Sequence, residues 1–241
     1  MAGSVGYSPA LCGSIGGGLI VDISIVIPAY NEQDLLARTV DEAVEALRAR
    51  GLSGEIIVVN DGSSDDTRGI ADALVAEGRA ARALHHPSNR GFGAALRTGL
   101  AAATGTWVTY LPGDGQLAPA EMLALYDQAG GADLVVGLRR HHAQWTRRLI
   151  TYGFLLCLRL VLGIEVQANI CYFVIRGDVL KTLHLHMDSG IVNVEVLVRC
   201  RDQGRKIIYD LVEGRIRDSG HSKMANIATI MKTFREMLAL R

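Results

Sequence analysis

Short runs of β-branched residues alternate with amphipathic segments along the first half of the chain. The runs at 22–30 ("DISIVIPAY") and 55–62 ("EIIVVNDG") predict buried strands. The segment between them predicts a helix, because its apolar residues recur at helical spacing: Leu35, Leu36, Val40, Val44 and Leu47. This alternation predicts an α/β fold with a mostly parallel sheet covered on both faces, and ligands bind such sheets beyond the carboxyl ends of the strands.

The same pattern predicts the elements that follow in the chain. We expect helices near 65–77, 91–103 and 119–128, and strands near 82–85, 106–111 and 133–137. After Leu138 the alternation weakens, and the later strands "ICYFVIR" and "KIIYDLV" flank a helical "NVEVLVRCRDQG". We interpret this half as a smaller region added to the sheet and not as an independent domain.

The charge balance and the cysteines narrow the class of protein. Lys and Arg together number 25, as do Asp and Glu, so the net charge of zero argues against wholesale nucleic-acid binding. The four cysteines are scattered without a C-x-x-C pair, which favours packing roles in a reducing compartment. We therefore expect a cytoplasmic protein.

The chain is predicted to have three parts. Residues 1–20 are rich in Gly and Ser and lack the features of a signal peptide, so they predict a flexible tail. Residues 21–224 predict one α/β domain, in which the apolar stretch 149–164 is shorter than the roughly 20 residues that cross a bilayer and predicts a buried or interfacial helix. Residues 225–241 predict an amphipathic helix that either docks on the core or lies on a membrane surface.

Polar residues cluster where two predicted strands end. The segments "PAYNE" (28–32) and "VNDGSSDDT" (59–67) place Glu32 and Asp61 at this edge, where carboxylates can hydrogen-bond a nucleobase and a ribose. Turn and helix-cap chemistry is the alternative, with Ser64 or Asp65 as the cap. Both interpretations can hold at once.

Two glycine-containing segments follow. In "NRGFGAALRTG" (89–99), Gly91 and Gly93 stand at a helix entrance, which alone is weak evidence of phosphate binding. The segment "YLPGDGQLAP" (110–119) holds one carboxylate, Asp114, between two glycines. The histidines, such as the adjacent His85 and His86, show no spacing typical of a zinc site, and we interpret them as loop or surface residues.

These motifs occur in a specific order. "SIVIPAYNE", "EIIVVNDGSSDDT", "NRGFGAALRTG" and "TYLPGDGQLAPAE" succeed one another, and "VVGLRR" and "RIRDSGHSKM" come later. From 22 to 223 the chain resembles the family 2 glycosyltransferases with a GT-A fold, in particular the polyprenyl-phosphate sugar synthases of the dolichyl-phosphate mannose type. The resemblance implies a Rossmann-like GT-A domain.

The resemblance also implies a donor site. Nucleotide binding would fall to Pro28, Tyr30, Glu32 and Asp61. The D-x-D-G-Q type of loop would hold Mg²⁺ or Mn²⁺ and the diphosphate through Asp114 and Gln116, while the first aspartate of the loop is replaced here by Pro112. Because Mg²⁺ needs few protein ligands when phosphate oxygens and waters complete its shell, one carboxylate with Gln116 can suffice.

The resemblance places an acceptor site in the second half of the chain. Arg139 and Arg148 match arginines suited to an acceptor phosphate, and Glu195 matches a glutamate that is either a site residue or an ordinary helix-face residue. A closing role over the diphosphate would fall to Arg217, Ser222 and Lys223. The stretch "QANICYFVIR" departs from the family, with Gln167 and Cys171 at its aspartate and glycine.

The function implied is inverting transfer of a sugar from a UDP- or GDP-linked donor to a polyprenyl phosphate, with Asp114, Arg139 and Glu195 as the catalytic candidates. A lipid phosphate is already anionic and needs no strong base, whereas a hydroxyl acceptor would require one, such as Asp188 or Glu195. A nucleotide-sugar-binding module without turnover is the other alternative. For a polyprenyl-phosphate acceptor, we expect contact with the inner face of the membrane to be made by surface helices or by a membrane partner protein.

Overall fold

The computed structural model describes residues 20–115, 117–139, 153, 156–163, 169–212 and 235–240. Seven strands and six helices are named below by their position along these residues. The strands are β1 (Ile23–Ala29), β2 (Gly54–Asn60), β3 (Arg82–His85), β4 (Trp107–Tyr110), β5 (Leu134–Arg139), β6 (Asn169–Arg176) and β7 (Ile207–Val212). The helices are α1 (Leu36–Ala49), α2 (Thr67–Ala76), α3 (Phe92–Ala102), α4 (Pro119–Asp127), α5 (Gly177–Leu180) and α6 (Val192–Asp202). Residues 156–162 and 235–239 are also helical.

The strands form one sheet in the order β3-β2-β1-β4-β6-β5-β7. Its pairs β1–β2, β1–β4, β2–β3 and β5–β7 are parallel. Of the seven strands described here, β6 alone runs against its neighbours, pairing antiparallel with both β4 and β5. The predicted α/β fold with a mostly parallel sheet is confirmed, and the strands of the second half of the chain extend the same sheet.

Helices cover both faces of the sheet because its central strands are apolar on both sides. In β1 every residue is buried; Ile25 and Ile27 face the apolar cluster that includes Leu36 of α1. Val26, between them, faces the opposite cluster, which includes Leu96 of α3. Successive side chains of a strand point to opposite faces, so the run of β-branched residues fills two cores at once.

The two helical segments of the second half pack on the same cluster as α3. Leu158 and Leu162 of 156–162 are buried there, together with Met237 and Leu240 at the C-terminal end. Both segments also carry exposed leucines, namely Leu156, Leu160 and Leu238. Within the part of the chain that the structure describes, no helix is long and apolar enough to cross a membrane.

Candidate active site

The carboxyl ends of β1, β2 and β4 lie side by side in the sheet. Ala29 pairs with Asn60, and Val26 pairs with Tyr110. Backbone hydrogen bonds continue beyond the strands, because the N–H of Asp61 donates to Ala29 (2.9 Å) and the N–H of Gly113 donates to the carbonyl of Pro28 (3.1 Å). The structure thus brings Pro28, Asp61 and the Asp114 loop to one edge of the sheet.

Asp61 is buried at this edge, with 4% of its side chain exposed. Its Oδ1 accepts the N–H of Arg90 (2.9 Å) and lies 2.7 Å from Nδ1 of His86, while Oδ2 accepts the N–H of Gly91 (2.8 Å). Gly91 has φ 102°, in the region that favours glycine, and directly precedes α3. The carboxylate therefore fixes the loop that enters α3.

The same loop also packs against Gly62. A Cβ on Gly62 would collide with the backbone of Ser88 and Asn89, and its φ is 67°. Only a glycine lets the two loops approach so closely. Gly62 therefore turns the chain after β2 and also has a packing role.

His86 is a site residue that the sequence did not reveal. His86 lies in the loop that follows β3, in keeping with the interpretation as a loop or surface residue, but it is buried there, with 6% of its side chain exposed. Its Nε2 lies 2.9 Å from the hydroxyl of Thr98 on α3, so the imidazole joins Asp61 to that helix. The approach of Thr98 is a tertiary contact, and no local spacing signals it.

The loops after β1 and β2 are cross-linked by polar side chains. Asn31, with φ 54°, donates its N–H to Ser63 Oγ (2.9 Å), and its Oδ1 accepts the N–H of Ser64 (2.9 Å). The N–H of Glu32 donates to Thr67 Oγ1 (2.9 Å). These bonds position the neighbouring Tyr30, which is 36% exposed, and the half-buried Glu32.

Asp65 supports this cross-link at the start of α2. Its Oδ1 accepts the hydroxyl of Thr67 (2.6 Å) and the N–H of Thr67 (3.0 Å), and its Oδ2 accepts the N–H of Gln33 (3.2 Å). Burial alone would raise the pKa of the Asp65 carboxyl, but these hydrogen bonds outweigh burial, and the pKa lies below its ordinary value. The predicted turn chemistry is therefore present beside the predicted nucleotide site, but the prediction of Ser64 or Asp65 as the helix cap is wrong, because Asp66 occupies the N-cap position of α2.

Asp114 stands half-buried in a loop that β1 and α1 hold in place. Besides the bond from Gly113 to Pro28, the hydroxyl of Thr39 lies 3.4 Å from the carbonyl of Gly113. Gly115 takes φ 65°, which a glycine adopts without strain. The loop presents one carboxylate between two glycines.

This donor set suits a metal ion that draws most of its ligands from the substrate. Among the described residues no group of three His, Cys, Asp or Glu could hold a metal by itself. A carboxylate oxygen is a ligand that Mg²⁺ and Mn²⁺ prefer, and Mg²⁺ commonly keeps waters and phosphate oxygens. Asp114 therefore fits a metal bound together with a diphosphate; Gln116 lies outside the described residues.

Most of the predicted acceptor residues cannot be placed in this structure. Arg148, Arg217, Ser222 and Lys223 lie outside the described residues. Arg139 ends β5, where its backbone is in register with Asn169 of β6 and Val212 of β7. Their roles stay predictions.

Glu195 is fully buried in α6 and faces the segment that precedes this helix. Its Oε1 and Oε2 each lie 3.0 Å from the N–H of His186, and Oε2 also accepts the N–H of Met187 (3.0 Å). Asp188, the other candidate base, forms an ion pair with Arg97 of α3. Both carboxylates are thus engaged by other groups of the protein.

The segment that contains Asp188 is held by the C-terminal end as well. Glu236 accepts the N–H groups of Asp188 (3.4 Å) and Ser189 (3.2 Å) and the hydroxyl of Ser189 (2.5 Å). On the other side, the N–H of Gly93 donates to the carbonyl of Asp188 (2.9 Å). The segment therefore joins the start of α3 to residues 235–240.

A mostly parallel sheet covered by helices, with carboxylates and glycine loops along one edge, is typical of α/β proteins with a GT-A fold. The family model described as "Glycosyl transferase family 2" matches residues 24–169. The chain therefore belongs to glycosyl transferase family 2.

Curated relatives agree with the family. A dolichyl-phosphate beta-glucosyltransferase (ALG5A) of Trichomonas vaginalis is 28% identical over 85% of this chain and 71% of its own length. An undecaprenyl-phosphate mannosyltransferase of Micrococcus luteus is 28% identical over 83% of this chain and 86% of its own length.

Solved structures share the fold. Glucosyl-3-phosphoglycerate synthase from Mycobacterium tuberculosis, in complex with Mn²⁺, uridine diphosphate and glucosyl-3-phosphoglycerate, superposes with a TM-score of 0.65 at 20% identity, covering 100% of this chain and 85% of that one. This likeness supports the GT-A fold that the sequence predicted.

Proposed function

We propose that the protein transfers a sugar from a nucleotide-diphosphate sugar to a polyprenyl phosphate, with inversion at the anomeric carbon. One observation supports the proposal most directly: Asp61 and Asp114 lie at the same edge of the sheet in a chain of glycosyl transferase family 2. The relatives from Trichomonas vaginalis and Micrococcus luteus, which cover most of this chain, bear names that specify lipid-phosphate acceptors.

The surroundings of Asp61 favour a donor linked to uracil or guanine. A carboxylate has about four acceptor positions. Three are filled by His86 and by the backbone of Arg90 and Gly91, which leaves one on Oδ2 for a ligand. Uracil and guanine carry a ring N–H that can donate there, whereas cytosine and adenine can donate only through an exocyclic amino group. We therefore infer a UDP- or GDP-linked sugar, with Pro28, Tyr30 and Glu32 completing the pocket.

Asp114, with Gln116, would hold Mg²⁺ or Mn²⁺ against the diphosphate. The ion would neutralise the charge that develops on the leaving group. In the transfer, an oxygen of the acceptor phosphate bonds to the anomeric carbon, and the electron pair of the broken carbon–oxygen bond leaves with the nucleoside diphosphate. We assign Arg217, Ser222 and Lys223 to the closing of the site over that diphosphate.

The environment of the two candidate bases favours a phosphate acceptor. Glu195 is buried against backbone N–H groups, and Asp188 is paired with Arg97. Neither arrangement suits a base that must take a proton from a hydroxyl, whereas an acceptor phosphate is already ionised. We assign Arg139 and Arg148 to its recognition, because guanidinium groups bind phosphate oxygens in pairs.

We further infer that the protein approaches the membrane from its cytoplasmic side as a peripheral protein. Leu160 is 75% exposed and Leu156 56% exposed on residues 156–162, and Leu238 is 49% exposed on the C-terminal helix. Both helices pack on the same apolar cluster as α3, and the leucines that they expose to solvent suit contact with lipid. Sedimentation with vesicles should be reduced in Leu160→Glu; unchanged sedimentation would favour recruitment by a membrane partner protein.

An assay of lipid-linked sugar formation tests the function. Purified protein is incubated with UDP- and GDP-sugars, a polyprenyl phosphate and Mg²⁺ or Mn²⁺, and the lipid product is quantified. We expect product only with a divalent ion and a phosphate acceptor. Transfer to a hydroxyl acceptor alone would support the alternative acceptor, and nucleotide binding without turnover on any donor would indicate a binding module.

A further inference from the structure

His86 and Thr98 form a buried connection that the proposed reaction does not itself use. The imidazole Nδ1 lies 2.7 Å from Oδ1 of Asp61, and Nε2 lies 2.9 Å from Oγ1 of Thr98. The backbone of His86 is fixed as well, since its N–H donates to the carbonyl of Asn60 (2.9 Å). The ring is therefore held at two points and the backbone at a third.

The partners determine where the hydrogens of this imidazole lie. The Asp61 carboxylate accepts two backbone N–H groups, so it acts as an acceptor and Nδ1 must carry a hydrogen. The hydroxyl of Thr98 lies 3.0 Å from the carbonyl of Ala94, one helical turn earlier, and 2.9 Å from Nε2, so the helix fixes the group that meets Nε2. A hydrogen on Nδ1 therefore serves the bond to Asp61, and the contact of Nε2 with Thr98 holds the ring in the orientation that this bond requires.

This connection fixes the orientation of Asp61. Oδ1 accepts from His86 and from Arg90, so its acceptor positions are filled and the remaining one is on Oδ2. Loss of the Nδ1 hydrogen would leave a buried oxygen under-satisfied, and the carboxylate could rotate out of the orientation in which Oδ2 meets a ligand.

We propose that His86 is a positioning residue of the nucleotide site, which orients the Asp61 carboxylate for a nucleobase N–H and is itself oriented by Thr98. The proposal rests on the proposed function. It assigns to His86 an effect on nucleotide affinity and none on acceptor recognition or on the chemical step.

A matched pair of substitutions tests the proposal. Asn and Leu have similar shapes, but His86→Asn keeps an N–H donor near the place of Nδ1 and His86→Leu removes it. By calorimetry with UDP and GDP in the presence of Mn²⁺, we expect His86→Leu to weaken nucleotide binding by about 10-fold to 100-fold and His86→Asn to stay within about 5-fold. In assays of transfer, KM for the donor should rise in His86→Leu while kcat and KM for the acceptor stay close to those of the wild type.

Thr98→Val provides the second test, because it removes only the hydroxyl. We expect it to weaken nucleotide binding by about 3-fold to 10-fold in the wild-type background and to have no further effect in His86→Asn, whose shorter side chain no longer reaches Thr98. Imidazole N–H signals in nitrogen-15 NMR spectra, assigned by their loss in His86→Asn, should report a slowly exchanging hydrogen on Nδ1 of this ring.

The outcomes separate this proposal from the proposed function. Equal nucleotide affinity in the wild type, His86→Leu and His86→Asn would overturn the role of His86, as would equal losses in both variants with native folding. Absence of nucleotide binding in the wild-type protein would instead overturn the proposed function. Protected imidazole signals in that protein would still support the link between His86, Asp61 and Thr98.

Discussion

At the scale of single residues, the candidate site depends on carboxylates with different environments. Asp61 is buried and accepts hydrogen bonds from one loop, whereas Asp114 is half-buried in a turn between glycines. Asp65 has a third environment, in which it accepts hydrogen bonds from Gln33 after β1 and from Thr67 at the start of α2. The first environment suits recognition of a polar group, and the second suits a metal ion.

Replacing Asp114 by Asn should lower the rate of sugar transfer by about 10²-fold or more, because the neutral amide binds a divalent ion poorly and the leaving diphosphate loses its counter-charge. Rates measured over a range of Mn²⁺ concentrations check this. Asp34→Asn, at an exposed position, is the control and should leave the rate unchanged. Wild-type metal dependence in Asp114→Asn would contradict the metal role.

The lowered pKa of Asp65 predicts how stability depends on pH. A carboxyl whose pKa is lower in the folded state stabilises the protein above its ordinary pKa of 3.8, and this contribution is lost as the pH falls through the folded-state value. The wild type should thus be more stable than Asp65→Asn at neutral pH, with a difference that shrinks below about pH 3.8. Urea midpoints of both proteins from pH 7 to pH 3 measure this difference. A difference that stays constant over that range would contradict a stabilising role for the Asp65 charge.

At the scale of elements, α3 connects the sheet edge at Asp61 to the segment that contains Asp188. Its entrance is bound by Asp61, its Thr98 contacts His86, and its Arg97 pairs with Asp188. Gly93 allows the close packing, because a Cβ there would lie 2.5 Å from the carbonyl oxygen of Met187. The "GFG" segment that the sequence associated with phosphate has this packing role.

Gly93→Ala should therefore destabilise the protein by about 1–3 kcal/mol, as overpacking against backbone does. Gly130→Ala is the matched control, since a Cβ at Gly130 meets nothing within 4 Å, and its effect should stay within about 0.5 kcal/mol. Free energies of unfolding from urea titrations provide the comparison. Equal free energies of unfolding for the two variants would contradict the prediction and show that the backbone at Met187 shifts to accommodate the added methyl group.

At the scale of the whole molecule, residues 235–240 contact the segment at Asp188 that packs on the start of α3. Glu236 binds the backbone at Asp188 and Ser189, while Met237 and Leu240 are buried in the core. The described part of the predicted C-terminal helix thus packs on the protein, although it exposes Leu238 as well.

Glu236→Ala should speed hydrogen exchange of the amides of Asp188 and Ser189, because their acceptor is removed. The neighbouring Arg235→Ala, at an exposed position, is the control and should leave these amides protected. Mass spectrometry of peptic fragments gives the rates. Unaltered protection in Glu236→Ala would mean that Glu195 and Arg97 hold the segment without help from the C-terminal end.

Local signals in the sequence were sufficient for much of this architecture. The β-branched runs of β1 and β2 and the apolar spacing of α1 predicted those elements and the edge at which Asp61 lies, since each depends on neighbours in the chain. The burial of His86 and Glu195 depends on contacts with Thr98 and with the backbone of His186, which come from distant or irregular segments. The antiparallel placement of β6 is likewise decided by its partners.

The sheet order has a consequence for synthesis on the ribosome. Among the strands of the described residues, β5 pairs only with β6 and β7, and both come later in the chain. A nascent chain can assemble β1 to β4 as it emerges, but β5 must wait with its hydrogen-bonding edges unpaired, as must the outer edge of β4. We therefore expect stalled chains that end before β6 to show a protease-resistant first half followed by a sensitive β5, and to be the species of this protein that most needs a chaperone.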